Sequence, residues 1–326
     1  MNPVLLSKER IAAESLRTGF SEVSVEKVTH LLNILNLINA HDTLQKKFAL
    51  KGGTAFNLFI FNKPRLSVDI DLNFIVNCDR DRMLTDQKDS IEQLIKLLEN
   101  DGYQVRKPRL SHALISMEID YIGRINQSNH IKLDINFMYR VCLWDPILMN
   151  SFPLSSIQVV DFKILDIHEL IAGKLSALVD RRKARDFFDC HLLAKLPSID
   201  FQKLRTAFVV YIGMKKNWRE LTFTINTFDQ NDYINNLIPL IQFPSKIINE
   251  CLVDFKEELL RDSKELLSKV YPFSSQEVEF LDLLNQQGII QSSLITHDTE
   301  MQEKINEHTG LKWKTKNVRE NLKEGV

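Results

Sequence analysis

The chain has 326 residues, more than one compact core usually holds, so two domains, or one domain with a helical extension, are expected. With 44% hydrophobic and 26% charged residues, and with no apolar run near the roughly 20 residues of a spanning helix, the composition excludes a disordered chain and predicts no membrane association. A net charge of −1 excludes a global field for nucleic acid, and four cysteines without a CxxC pair exclude a disulfide framework or a zinc ribbon.

The N-terminus, MNPVLLSKERIAAESL, becomes charged within eight residues and has no apolar h-region, so no export signal is expected and the cytoplasm is the predicted compartment. From Ser24, the apolar residues Val25, Val28, Leu32 and Leu35 follow the period of a helix. Gly52 and Gly53 then precede a predicted helix, Thr54 to Phe61, which Pro64 closes. A strand is expected over Ser67 to Val76, then a polar loop rich in Asp and Arg, then a helix over Asp89 to Asn100 ended by Asp101-Gly102. Two further strands, LISMEIDYIG and HIKLDINFMY, are joined by Asn126 to Asn129, whose residues suit a hairpin. These elements predict a mixed α/β domain over residues 1–165. After Asp166 the apolar spacing is helical over 166–195, 200–212, 246–269 and 276–286, which predicts a helical second domain over 166–326. Residues 214–245 carry mixed signals and are not assigned.

Strand side chains alternate, so Ser67, Asp69, Asp71 and Asn73 share one face, while Val68, Ile70, Leu72 and Phe74 form the other. The Cα atoms of Asp69 and Asp71 are thus roughly 6.5 to 7 Å apart, close enough for their carboxylates to hold a hard divalent ion, Mg²⁺ foremost. Most DxD pairs lie in solvated turns, but a turn is implausible inside VDIDLNFI. In IKLDINFM, Asp134 stands between Leu133 and Ile135 in the same kind of setting, with Lys132 and Asn136 on its face. Three converging acids repel one another without cations, and this is the pattern of a two-metal phosphoryl-transfer site. Gly52-Gly53-Thr54 would let phosphate approach the backbone at a helix start; such a tripeptide is ordinary alone and informative before a DxD strand.

Asp166 and Glu169 are expected to form a capping box, and the helix they open buries Ile167, Leu170, Ile171, Leu175 and Leu178. Lys174 falls on that apolar stripe and needs an anion. It is either a snorkelling stem or a phosphate clamp, and the clamp is the expectation here. Asp186 and Asp189 lie three apart downstream, as ion-pair partners or, for Asp186, as a group that orders Lys174 or reaches the nucleotide. Arg181, Arg182, Lys183 and Arg185 put four cations in five residues, the clearest candidate patch for an RNA backbone, whereas RKPR at Arg106 to Arg109 and KWKTKNVR at Lys312 to Arg319 are weaker.

Taken in order, KGGTAFNLFIFNKPRLSVDIDLNFI, KLDI and HELIAGKLSALVDRRKARDFFDCHLL resemble the AbiEii/AbiGii toxin family, the nucleotidyltransferase-like toxins of type IV toxin–antitoxin and abortive-infection systems. The likeness covers roughly residues 45–195. It implies an α+β fold, with a polymerase-β-like nucleotidyltransferase domain and mixed sheet followed by a mostly helical C-terminal domain. It also implies an NTP donor, Mg²⁺ or Mn²⁺, an RNA acceptor, tRNA 3′ ends in particular, and a cognate antitoxin. By motif match Asp69, Asp71 and Asp134 are the metal-binding acids. Lys51, Gly52, Gly53, Thr54 and Arg65 fall to nucleotide binding, Ser67 is the serine of the RxSxDxD element, and Lys174 and Asp186 are the later catalytic pair. Classical members of the fold carry Gly-Ser where Gly53-Thr54 stands here, and the hydroxyl survives.

Three rivals stand beside this expectation. The same fold can act on a small-molecule or protein acceptor, since fold does not fix acceptor. A haloacid-dehalogenase-type phosphatase also uses DxD on a strand, but a threonine normally stands where Asn73 is, and here a GGT helix precedes the strand, which ranks this rival low. A non-catalytic RNA- or partner-binding module would not need all three acids.

Overall fold

In the computed structural model, which describes residues 6–111, 113–125, 129–241 and 251–324, the long N-terminal helix begins before Ser24. The Ser21 side chain accepts a hydrogen bond from Ser24 N and opens helix Glu22–Ala40, preceded by helix Lys8–Thr18. Val25, Val28, Leu31, Leu32, Ile34, Leu35 and Ile38 are all fully buried, so this helix lies inside a layered domain.

The sheet explains the burial pattern. Its strands are β1 (Phe48–Lys51), β2 (Asp69–Phe74), β3 (Gln104–Val105), β4 (Arg109–Leu110), β5 (Leu114–Tyr121), β6 (Asn129–Asn136), β7 (Ile147–Met149) and β8 (Phe162–Ile164). Their order is β3-β5-β6-β2-β1-β8-β7, with β4 on β5. The β1–β2, β5–β6 and β7–β8 pairs are antiparallel, while β2–β6 and β1–β8 are parallel, so the sheet is mixed and the fold is α+β. Ile70, Leu72, Phe74, Ile131, Leu133 and Ile135 alternate onto one fully buried face. Burying each side chain of this size contributes about 1.5–3 kcal/mol, so the opposite, polar face is free to carry chemistry. The hairpin expected between β5 and β6 is seen in their antiparallel register, although residues 126–128 lie outside the described residues.

Two elements differ from expectation. The polar stretch before Asp89 is not a loop: Asp79 accepts from Arg82 N and starts helix Arg80–Asn100 nine residues early. Its first turns are held by Lys47–Asp86 at 2.6 Å, a tie to a distant residue that leaves no apolar signal in the sequence. The helix after Gly52 begins at Gly52 itself, not Thr54, and passes into a π-helical run over Ala55–Ile60, closed by Phe61 N to Phe56 O at 2.7 Å.

The described residues fall into two compact units. The first holds those up to Arg140, Pro146–Leu165 and the described residues from Ile238 to Ile241; the second holds Val141–Asp145, Asp166–Leu237 and the described residues from 251 onward. The second unit is helical: Ile167–Arg181, Ala184–Ala194, Phe201–Gly213, Cys251–Ser268, Ser275–Asp282, Thr299–Glu307 and Thr309–Glu324. The helix expected over 166–195 breaks at Arg182, whose φ of 48° is left-handed. The described part of the unassigned stretch, up to residue 241, resolves into short turns at Trp218–Glu220, Gln230–Asp232, Tyr233–Leu237 and Ile238–Leu240, too brief to leave a period, and residues 242–245 lie outside the described residues. Part of the helix expected over 246–269, residues 246–250, lies outside the described residues. Among the described residues no helix is long and apolar enough to cross a membrane.

Asp166 caps its helix as expected, accepting from His168 N at 2.8 Å, but the capping box does not form. Glu169 turns inward, where Oε2 accepts from the backbone of Leu143 (3.0 Å) and Trp144 (3.3 Å). The carboxylate thus serves the amides of the 141–145 segment in place of the helix end. Burial pushes the Glu169 carboxyl up to about 8.

Candidate active site

The register of β2 and β6 assembles the acids. In this parallel pair Asp69 stands opposite Lys132, Asp71 opposite Asp134 and Asn73 opposite Asn136. Residues in register share a face, so Asp69, Asp71 and Asp134 lie together on the polar side of the sheet, each half-buried. On the other side of β2, Lys51 at the end of β1 is opposite Asp71.

The chain turns into the helix directly after Lys51. Gly52 has φ of 70°, and a Cβ there would lie 2.5 Å from Asp71 Oδ2, so both conformation and space demand glycine. At Gly53 a Cβ would lie 2.7 Å from Arg65 Nη2 and 3.1 Å from Ser67 Oγ. Thr54 is fully buried; its hydroxyl donates to the Asp69 carbonyl at 2.5 Å and lies 2.9 Å from Ser67 Oγ. The helix start is therefore fastened to the first strand residue of the acidic face. Arg65 is buried, and its Nη1 donates to Leu66 O at 3.1 Å. The structure thus brings together Lys51, Gly52, Gly53, Thr54, Arg65, Ser67, Asp69, Asp71 and Asp134 within one unit.

Three residues were not singled out from the sequence. Lys132 Nζ lies 2.6 Å from Asp134 Oδ2, and Ser116 Oγ donates to Asp134 Oδ1 at 2.6 Å. Lys27, on helix Glu22–Ala40, is half-buried; burial lowers its ammonium pKa while Asp69 opposes the shift. Lys132 was visible as a neighbour on the Asp134 face. Ser116 depends on the β5–β6 register, which no sequence pattern prints.

The donor set fits a hard divalent ion: three carboxylates, half-exposed, on adjacent strands. Among the described residues, however, the only group whose ligand atoms all lie within 4.8 Å is His191, Glu258 and Asp262, so the three aspartates are not drawn that close. That other cluster is already met by cations, with Lys195 3.1 Å from Glu258 and Arg261 3.1 Å from Asp262.

In the second unit, Lys174 has two anions. Its Nζ lies 3.0 Å from Asp186 Oδ1 and 2.9 Å from Asp189 Oδ2, and Arg181 Nε adds a bond to Asp186 Oδ2 at 2.9 Å. Lys174 is 8% exposed, Asp186 1% and Asp189 0%. Burial pushes the Asp186 carboxyl up, but Lys174 and Arg181 outweigh it and hold the group below the usual range. The basic run is not one helix face. Arg181 ends one helix and turns to Asp186, exposed Arg182 and Lys183 form the corner, and Arg185 lies in the next helix.

A strand, a Gly-Gly turn into a helix, a DxD strand and a parallel strand with a third acid are the parts of a nucleotidyltransferase. Residues 34–270 match the family described as nucleotidyl transferase AbiEii toxin, type IV toxin–antitoxin system, and the chain belongs to that family. It is similar in structure to MenT4, a nucleotidyltransferase toxin of Mycobacterium tuberculosis H37Rv, with a TM-score of 0.61 and 14% identity over 94% of this chain and 99% of that one. At that identity the likeness is one of fold. No sequence among curated proteins matches the chain.

Proposed function

We propose that this toxin moves a nucleoside monophosphate from an NTP to the 3′ end of an RNA, tRNA acceptor ends in particular, releasing pyrophosphate in the cytoplasm. The observation that carries the proposal is the register of Asp69, Asp71 and Asp134 on one sheet face, against a turn that only Gly52 can make.

Asp69, Asp71 and Asp134 are the residues that would hold Mg²⁺ or Mn²⁺, which when bound supplies charge neutralisation at the phosphates and a lowered pKa for the attacking hydroxyl. The chain's own part is positioning. Thr54 ties the glycine turn to the Asp69 carbonyl, so backbone amides of the turn and the acids keep a fixed spacing. Lys51, Arg65 and Ser67 border that turn and serve the nucleotide. Phosphoryl transfer of this kind depends on placement and electrostatics and requires no nucleophilic side chain. Lys174 and Asp186 belong to the proposed catalytic set through the family match, which spans both. Arg182, Lys183 and Arg185, with Arg181 behind them, are the proposed RNA contact, and a cognate antitoxin is the proposed protein partner.

Parallel incubations with Mg²⁺, total cellular RNA and NTPs labelled at the α- or γ-phosphate test the proposal. Label from the α position should enter RNA of tRNA size, and label from the γ position should not. Transfer of the γ label would make the protein a phosphotransferase and overturn the assignment.

A further inference from the structure

Both oxygens of Asp134 are engaged. Ser116 donates to Oδ1 at 2.6 Å, and Lys132 Nζ sits 2.6 Å from Oδ2. The two partners differ in kind. A hydroxyl can stay beside a carboxylate that also binds a cation, whereas an ammonium stands where the cation must go and repels it. Lys132 is also free to leave, since its side chain is about half exposed on a flexible four-carbon stem.

The neighbours of Lys132 show which acids its charge serves. On one side it stands opposite Asp69 on β2, and on the other opposite Glu118 on β5. Glu118 is already paired with Arg106 and with Arg109, the latter at 2.8 Å. The charge of Lys132 is therefore left to the aspartate face.

Resting on the nucleotidyltransferase reading above, we propose that Lys132 is an exchangeable counter-cation. It neutralises the acidic face in the metal-free protein and must release Asp134 before a divalent ion binds there, so it sets the metal affinity of the site. Without it, three carboxylates on adjacent strands would repel one another in the empty site. With it, metal entry is a competition between the ion and a side chain of the protein itself.

The test is Mn²⁺ binding without nucleotide, read from the free-ion electron paramagnetic resonance signal, on the full-length protein and on Lys132→Met, Lys132→Arg, Asp134→Asn and the Lys132→Met/Asp134→Asn double variant. Lys132→Met should bind Mn²⁺ about three- to tenfold more tightly, the scale of a half-exposed ion pair, and Lys132→Arg should stay near wild type. In the Asp134→Asn background the same lysine substitution should change affinity little, because the contested ligand is gone. Metal-free Lys132→Met should also melt below wild type and gain more from added Mn²⁺. An equal gain in both backgrounds would mean that Lys132 acts only through its general field, and would overturn the exchange. Mn²⁺ binding that Lys132→Met leaves unchanged would overturn it too, with the metal reading intact. Affinity that Asp134→Asn does not lower, in wild type and Lys132→Met alike, would overturn both.

Discussion

Lys174 Nζ lies 2.9 Å from Asp189 Oδ2, and neither side chain is more than 8% exposed. With Asp186 on the same ammonium and Arg181 on Asp186, this is a buried ion cluster tying helix Ile167–Arg181 to helix Ala184–Ala194. The sequence places Lys174 on an apolar stripe where its ammonium needs an anion, and the structure supplies two from the protein itself. Lys174→Met takes the ammonium from two buried carboxylates, and breaking a buried pair costs about 3–5 kcal/mol. The melting temperature should fall by about 5–15 °C, measured by scanning calorimetry. Adding Asp189→Asn should recover part of the loss. An unshifted melting temperature with lost transfer would instead place the ammonium on phosphate.

The two glycines should not behave alike. Gly52→Ala puts a methyl 2.5 Å from Asp71 Oδ2 at a φ of 70°, so the turn strains and the carboxylate must move. Displacing a catalytic group by about 1 Å can cost roughly 10²-fold in rate, and transfer by Gly52→Ala should fall on that scale. At Gly53 the nearest atom is the end of the Arg65 side chain, which can give way. Gly53→Ala should lose less activity and less stability. Transfer assays and melting curves on the two variants, side by side, check the order.

Glu169 makes stability depend on pH. Burial raises its folded-state value to about 8, against 4.5 for the ordinary group. Between those values the folded protein holds a proton that the unfolded chain has lost, so this residue's contribution to stability falls as pH rises from about 4.5 to about 8. Glu169→Gln keeps an oxygen for the Leu143 and Trp144 amides and has nothing to ionise. The variant should match wild type near pH 5 and exceed it progressively toward pH 8, seen in denaturant midpoints across that range. Parallel pH profiles for the two proteins would contradict this.

What the sequence disclosed followed from period and local chemistry. Asp69 and Asp71 were legible because alternation inside VDIDLNFI puts both opposite Ile70 and Leu72, which are fully buried. The glycine turn was legible because few residues adopt its backbone. Contacts between distant segments were not. Ser116 meets Asp134 through strand pairing, Glu169 leaves its helix end for a segment 25 residues upstream, and the start of helix Arg80–Asn100 is tied down by Lys47. Asp186 was legible as a group that could order Lys174. That Asp189 joins it on the same ammonium was not, since it depends on the break at Arg182.

If Asp69, Asp71 and Asp134 act as one nucleotidyl-transfer site, as we propose, each of their asparagine variants should lose transfer. Each carboxylate is half-buried on the polar face, so all three asparagine variants should fold; Asp69→Asn and Asp71→Asn should melt at or above the wild-type temperature as mutual repulsion is relieved, and Asp134→Asn, which loses the Lys132 pair, near or below it. The predicted result, from α-labelled NTP, Mg²⁺ and RNA, is label in RNA with the wild-type protein and none with any of the three folded variants. Wild-type labelling by even one of them would contradict the claim.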